Sequence, residues 1–537
     1  VDPVQRADDR LRLQQEWYAS GLYVGRTIGA ELESAATRFP DRGYVFASET
    51  EQVRLRFPEA LRRSRHVAAG WQRIGLRPRD PIAIQVPNRA ELVIAYFAAY
   101  LAGLVVVPIT HIYGPTEMSF LIRETGARAL VVPDRWRSID YAERVRQLAD
   151  VPTLAHVIVI GLPEQFDNGV RWTDLTTAAP APTVVTSPDD VCTILYTSGT
   201  TSAPKGVQHT HNSLLAEMRT TAEMVGMREG EAKLAPWPAG HIAGLIGICA
   251  GLASGIDTVL MDRWDAALAA HLVGEHHCVS ASGTPLHVLA LLEAAGKTGA
   301  DISSLRMFQV GGTNIAPELV ERAERVGLRM GRAYGSTEHP TSASSSPDES
   351  VFIRSRTDGR PRFGDEVRIV DDDGAVVPNG IEGEIVTRGP AMFIGYRDRT
   401  LDDVSFLPGG WFLTGDIGRL DALGYLTVTD RRKDIIIRGG ENIASKEVED
   451  VLATHPAVAE SAVVGAPDPR YGERVAAFVI LVSGQSLDLA DIDRHFRAAG
   501  IARQKTPERL IVVNELPRTP SGKVQKFELR KRLRDGA

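Results

Sequence analysis

The sequence predicts a multidomain α/β protein: a large N-terminal region of mostly parallel sheet under covering helices, an antiparallel β insert, and a small C-terminal unit of mixed strands and helices. Three observations predict it. Helix-like and β-branched segments alternate over residues 56–160, and again over 191–310. After Pro340 the texture changes to short strands, separated by Asp373-Gly374 and Asn379-Gly380, dipeptides that favour tight hairpin turns. After Lys433 a new alternation of strand and helix begins. A length of 537 residues suits two to four domains at about 100–200 residues each.

In chain order, 61–74 reads as a helix, 82–86 as a strand, 91–102 as a helix, 105–109 as a strand, 116–125 as a helix and 129–132 as a strand. Residues 92–109 carry no charge, which reaches the length of about 18 that raises the question of a membrane span. Gly103 and Pro108 punctuate the run, so a buried helix followed by a Val-rich strand is the better reading. A Pro/Ala/Thr-rich connection, 176–188, leads into an apolar strand-like segment, 191–195; the alternation resumes through 257–261, 271–279 and 307–310. In the insert, 367–370, 375–377, 384–387 and 425–429 read as strands. The last unit reads as strand 435–438, helix 445–454, strands 458–464 and 476–482, helix 491–499 and strand 509–513. A boundary near Lys433 divides the chain into 1–432 and 433–537. The basic tail from Lys523 to Arg534 is interrupted by Glu528 and reads as a solvated helix face.

Composition excludes several functions. A net charge of −7 over this length, with 24% charged residues, gives no basic surface for nucleic acid or anionic membrane. The three cysteines, Cys192, Cys249 and Cys278, have no paired spacing, which fits a reducing cytoplasm and no disulfide framework. Neighbours such as His276-His277-Cys278 do not easily converge on one ion, and no second cluster completes a tetrahedral set. Asp2, Asp8 and Asp9 stand where a signal peptide would need an apolar segment, so none is expected.

The chemistry is concentrated in Tyr196-Thr197-Ser198-Gly199-Thr200-Thr201-Ser202-Ala203-Pro204-Lys205-Gly206. Glycines admit an anion close to the backbone, amides and hydroxyls donate to it, and the lysine supplies charge. Such a loop can hold polyphosphate, although a Ser/Thr/Gly-rich loop alone is more often a plain connection. It lacks the Gly-Lys-Ser/Thr ending of P-loop NTPases.

Five further segments, in order, decide its meaning: Tyr334-Gly335-Ser336-Thr337-Glu338, Thr414-Gly415-Asp416, Asp430-Arg431-Arg432-Lys433-Asp434, Gly439-Gly440-Glu441-Asn442-Ile443, and Pro517 to Lys523, which ends Ser521-Gly522-Lys523. With them the chain resembles the acyl-CoA synthetases of the adenylate-forming superfamily, over roughly residues 56–530. The resemblance implies a large N-terminal adenylate-forming domain of two α/β sheets plus a small antiparallel β-barrel, and a hinged small C-terminal α+β domain. It implies that Thr197, Ser198, Gly199, Thr200, Thr201 and Lys205 contact the phosphates, with Gly311, Gly312, Gly335 and Thr337 also on the nucleotide. Tyr334 would pack on adenine, Glu338 and Thr200 would hold Mg²⁺, and Asp416 and Arg431 would take the ribose. Lys433 would be the pivot, and Lys523 would reach the substrate carboxylate and AMP. Gly439, Gly440 and Glu441 would face coenzyme A in the second step.

The activity implied is ATP-dependent: a carboxylic acid becomes acyl-AMP, and coenzyme A then takes the acyl group. Pro236-Trp237-Pro238-Ala239-Gly240-His241 aligns with the substrate-side motif, placing His241 at the acyl gate, with Gly312 also on the acyl side. A core histidine satisfied by local hydrogen bonds is the plainer alternative. Gly244, Gly247, Ala250, Gly251 and Ala253 follow in an uncharged stretch, which serves close helix packing, room for an acyl chain, or both. No Asp appears in the motif to hold an α-ammonium. A medium-chain fatty or alicyclic acid is therefore expected, with an aryl-CoA ligase or an acyl-AMP ligase loading a carrier protein as alternatives. Arg332 stands where the family often has a smaller polar residue near adenine. The Pro-x₄-Gly-Lys segment also resembles an acetylation site, so a lysine acetyltransferase and deacetylase acting at Lys523 are expected regulators. Homo-oligomerisation is left open.

Overall fold

The computed structural model describes residues 2–49, 51–167, 169–177, 179–197, 204–312, 315, 317–438, 441–468, 471–499, 503–519 and 522–534, with backbone only at 222, 223, 433, 441 and 442. Two large sheets carry the N-terminal region. The first has nine strands, and its parallel core runs through Met330–Tyr334, Met307–Gly311, Cys278–Gly283, Ala232–Ala235, Asp257–Met261 and Gly43–Ala47, in that spatial order. The second has seven, with Lys205–Thr210 at one edge, antiparallel to Val191–Thr197. The remaining five strands, including Val105–Pro108 and Pro81–Ile84, continue it in parallel.

Helices Ile28–Arg38, Phe57–Arg73, Ala90–Leu101 and Ile242–Ser254 pack between the two sheets in the largest core. Every residue of Ala90–Leu101 except Glu91 is buried. That explains the uncharged run: a helix apolar all round is a core helix when protein covers all its sides, and Val105–Pro108 follows it as a buried strand. No helix among the described residues is long and apolar enough to cross a membrane. Local signals set the helix ends. Pro115–Thr125 opens with proline in its first turn, Glu117 Oε2 accepts from the Gly114 N–H at 3.1 Å, and Gly126 closes it at φ 69°.

Strands Glu366–Val370, Gly383–Arg388, Phe406–Leu407, Trp411–Leu420 and Leu426–Arg431 form an antiparallel half-barrel. Residues 375–377, expected as a strand, contribute a single bridge between Val370 and Val376; the turn at Gly374, φ 79°, leaves too little chain before Pro378 to extend it. Residues 271–279 straddle the end of helix Ala266–His276 and the start of strand Cys278–Gly283, with His277 left-handed between them. Beyond Lys433, strands Ile436–Arg438, Glu441–Ile443, Val458–Asp468, Gly472–Leu481 and Arg509–Val512 form a separate sheet. The basic tail is more than a solvated face: helix Lys526–Arg534 buries Leu529 and Leu533 against Ala462 and Phe478 of that sheet.

Candidate active site

The C-terminal edge of the first sheet, the half-barrel and the segment near Lys523 enclose a cavity of about 770 Å³. Its two ends differ in chemistry. Toward the half-barrel it is lined by Ala333 and Gly335, which flank Tyr334, and by Thr414, Asp416 and Arg431; Tyr334 itself stands behind this wall. Tyr334 leaves its strand with the phenol donating to Asp416 Oδ2 at 2.9 Å, and Arg431 Nε lies 3.0 Å from Asp416 Oδ1. Burial and this carboxylate push the Tyr334 phenol well above its ordinary pKa, whereas Asp416 raises that of Arg431. A tyrosine kept neutral and an aspartate held by two donors make a rigid wall suited to a ribose edge.

Thr337, Glu338, Lys205, Thr197 and Lys523 line the centre. Tight backbone builds this part. A Cβ on Gly335 would lie 1.9 Å from the Pro340 carbonyl oxygen, and Gly312 holds φ 78°. The His209 ring, kept neutral by burial with its pKa near 4, donates through Nε2 to the Thr337 carbonyl at 2.8 Å. Glu338 is 8% exposed, and its Oε1 accepts from the Tyr396 phenol at 2.7 Å. Lys205 pairs with Thr197 across the hairpin, and its Nζ stands 5.1 Å from the Tyr396 ring centroid. Tyr396 thus fixes both the central carboxylate and the cation beside it. Nothing around Gly395-Tyr396-Arg397 distinguishes it in the sequence; the Val207–Tyr396 bridge and the bonds of Gly206 and Gln208 to this segment bring it to the site.

His241 opens the third arm. It precedes helix Ile242–Ser254, its Nε2 is buried without a hydrogen bond among the described residues, and burial lowers its pKa to about 4. The satisfied-core reading is therefore not what the structure shows. Asn88 fixes the motif from the second sheet, its Nδ2 donating to the Trp237 carbonyl at 2.9 Å and its Oδ1 accepting from the Ala239 N–H at 3.0 Å. The small residues divide between two roles. Added Cβ atoms on Gly244 and Gly251 would meet backbone oxygens at 2.2 and 2.6 Å, so these two serve packing, while Gly247 lines the cavity. Arg332 is turned away, held by the Ile315 carbonyl and 3.8 Å from Asp358.

The AMP-binding enzyme family matches residues 32–397 and its C-terminal domain matches residues 447–523. This chain belongs to the AMP-binding enzymes. It is 34% identical over 530 residues to a medium-chain fatty-acid–CoA ligase of Escherichia coli, covering 95% of this chain and 91% of that protein. It is 33% identical over 537 residues to a salicyl-AMP ligase / salicyl-S-ArCP synthetase of Mycobacterium tuberculosis, covering 96% and 92%. Among solved structures, ATP-bound MatB from Rhodopseudomonas palustris superposes with a TM-score of 0.85 at 26% identity, covering 95% of this chain and 99% of that one. The chain is thus an adenylate-forming enzyme of the acyl-CoA synthetase type.

Against that membership, the structure brings Thr197, Lys205, Gly311, Gly312, Gly335, Thr337, Glu338, Asp416, Arg431, Lys523 and His241 to one cavity. Ser198, Gly199, Thr200, Thr201, Gly439 and Gly440 lie outside the described residues. Glu441 is described as backbone in strand Glu441–Ile443, and Lys433 as backbone in the turn Arg432–Asp434.

Proposed function

We propose that this AMP-binding enzyme is an acid–thiol ligase, with the expected residues in the roles below. The carrying observation is that Lys523, from the C-terminal unit, shares one cavity with Lys205, Thr337, Glu338 and Asp416 of the N-terminal region. In the first step a carboxylate oxygen attacks the α-phosphorus of ATP, the bond to pyrophosphate breaks, and acyl-AMP forms. Two anions must approach, and Lys205 and Lys523 offset their repulsion. Asp416, Arg431 and Tyr334 orient the nucleotide so that the reacting atoms meet. In the second step the thiol sulfur of coenzyme A bonds to the acyl carbon and gives its proton to solvent, the bond from that carbon to the phosphate oxygen breaks, and AMP leaves with the electron pair.

Mg²⁺ fits this site by its donor set. Such an ion keeps most of its shell as water and phosphate oxygens, with one or two carboxylates from the protein, and Glu338 is a buried carboxylate on the cavity wall. When bound it would neutralise phosphate charge. Tyr396 holds Glu338 in place for it.

The acid is proposed to be medium-chain or alicyclic, and the chain to act in the cytoplasm, where its three buried, unpaired cysteines would stay reduced. Acetylation of Lys523 would remove the charge that the first step needs. The division at Lys433 is proposed as the hinge, with 433–537 as the moving part.

The test is mass spectrometry of purified protein with ATP, Mg²⁺ and a panel of carboxylic acids, with and without coenzyme A. Acyl-CoA and AMP are expected for a subset of acids. Acyl-AMP that persists in the presence of free coenzyme A would assign carrier loading instead. Light scattering on the same preparation reads homo-oligomerisation.

A further inference from the structure

Polar side chains are buried among the apolar lining of the cavity. Parallel strands at the centre of an α/β sheet normally present apolar residues on both faces. Here one face of the first sheet does so, with Leu234, Val259, Ala281, Phe308 and Val310 in a common core. The opposite face is mixed: Tyr44, Phe46, Ala235 and Leu260 join the largest core, and Lys233, Thr258, Ser280 and Gln309 are buried on the same face. Lys233 is in register with Thr258 on one side and Ser280 on the other, and Ser280 with Met307. Met307 lies four residues before Gly311 on its strand, so Lys233 sits about 13 Å below the glycine edge at 3.3 Å per residue.

Lys233 lines the cavity, is 8% exposed, and makes no hydrogen bond or ion pair to a described residue. Helix His211–Met224 brings Glu217 to the same place. Glu217 is 1% exposed; its Oε1 accepts from Thr221 at 3.3 Å, and its Oε2 has no partner among the described residues. Gln309 is similar, with Nε2 donating to the Ser345 carbonyl at 3.1 Å and Oε1 without a partner among the described residues. A donor with free valences thus lines the same cavity as two buried acceptors, of which Gln309 Oε1 leans toward Gly331 of the neighbouring strand. Groups of this kind are costly to bury unless something completes their hydrogen bonds. Burial lowers the Lys233 pKa to about 8, opposed by Cys249 and Glu217, and burial raises that of Glu217, opposed by Arg362 and Thr341.

We propose that Lys233, Glu217 and Gln309 select a carboxylic acid bearing an uncharged oxygen, hydroxyl or keto, at the end of its acyl group remote from the reacting carboxylate. A hydroxyl accepts from the Lys233 ammonium and donates to Glu217 Oε2 or Gln309 Oε1; a keto oxygen accepts from Lys233. A second carboxylate fits less well, because Glu217 opposes it. A plain hydrocarbon end leaves the Lys233 ammonium, Glu217 Oε2 and Gln309 Oε1 without a partner among the described residues. This inference rests on the ligase reading and deepens it at the acyl end.

The test uses saturated acids of matched length: unsubstituted, ω-hydroxy, ω-oxo and ω-carboxy. Acyl-CoA formation by the full-length protein is followed as kcat/KM. The hydroxy or oxo acid is expected to exceed both others by at least about tenfold, since sites built to hydrogen-bond a substrate oxygen reject analogues that lack it. Lys233→Met is expected to lower kcat/KM for the preferred acid about tenfold or more and to raise it for the unsubstituted acid. Glu217→Gln, which keeps the shape, is expected to separate hydroxy from oxo acids. Turnover in which the unsubstituted or ω-carboxy acid equals or exceeds the oxygenated ones overturns the proposal and leaves the ligase standing. Formation of neither acyl-AMP nor acyl-CoA from any member overturns both.

Discussion

Single side chains set the chemistry at both ends of the cavity. Lys523 reaches it from a loop whose backbone closes on itself, Thr519 N–H donating to the Lys523 carbonyl at 2.7 Å and Lys523 N–H to Thr519 Oγ1 at 3.1 Å. A preorganised contact to developing charge is typically worth about 2.7–4 kcal/mol. Lys523→Ala should therefore slow pyrophosphate release roughly 10²–10³-fold, while thioester formation from supplied acyl-AMP is kept; equal loss in both half-reactions would refute the assignment. Lys233 makes a prediction about stability. Its folded pKa of about 8 lies below the unfolded value. Below pH 8 both states hold the proton and the fold carries the cost of a buried charge. Between pH 8 and about 10.4 only the unfolded chain holds it, so this site's contribution to stability rises with pH. Lys233→Met should raise the urea midpoint at pH 7, by roughly 3 kcal/mol of stability, with a smaller gain at pH 10. A loss at pH 7 would show that the lysine is structurally required.

Elements transmit these positions through close backbone contacts. Helix Ile242–Ser254 lies so near the Pro236–His241 motif that a Cβ on Gly244 would stand 2.2 Å from the Pro238 carbonyl oxygen. Gly244→Ala should push the helix start, and His241 with it, out of place. Overpacking of this kind costs about 1–3 kcal/mol, and circular dichroism melts would read it beside a fall in adenylation rate. An unchanged melting temperature would mean that the motif yields freely. The turn Arg432–Asp434 acts at the same scale. Proline fixes φ, so Lys433→Pro should keep adenylation and lose transfer to coenzyme A, measured as acyl-AMP accumulating without acyl-CoA. Normal transfer would remove the hinge from Lys433.

At the scale of the molecule, the C-terminal unit meets the half-barrel through polar contacts, and no apolar core cluster among the described residues spans the two. Asp430, on strand Leu426–Arg431, accepts from the Ser445 N–H and hydroxyl. Lys446 Nζ donates to the Val428 carbonyl at 2.8 Å. Such contacts can be exchanged for water at modest net cost, which suits a unit proposed to turn. Asp430→Ala should weaken the arrangement that presents Lys523, slowing adenylation while sparing thioester formation from acyl-AMP. An equal slowing of both steps would indicate general destabilisation.

Much of this was legible in the sequence, because it is written in local chemistry. Alternating segments declare parallel sheets; Gly, Pro and Asp-Gly mark the ends of elements; the six ordered motifs carry the donors and cations that a nucleotide needs, and eleven of the expected site residues line the cavity. Three features required the folded chain. Tyr396 has an ordinary neighbourhood in sequence and becomes important by bridging to Val207 beside Glu338. Asn88 acts on a motif some 150 positions away. Lys233 belongs to no motif of the sequence, and strand register buries it on the wall of the cavity that Glu217 also lines. Periodicity and turn chemistry act over a few residues and survive in the one-dimensional pattern. Burial and partnership are properties of non-local pairs, and those are settled only when the sheets close.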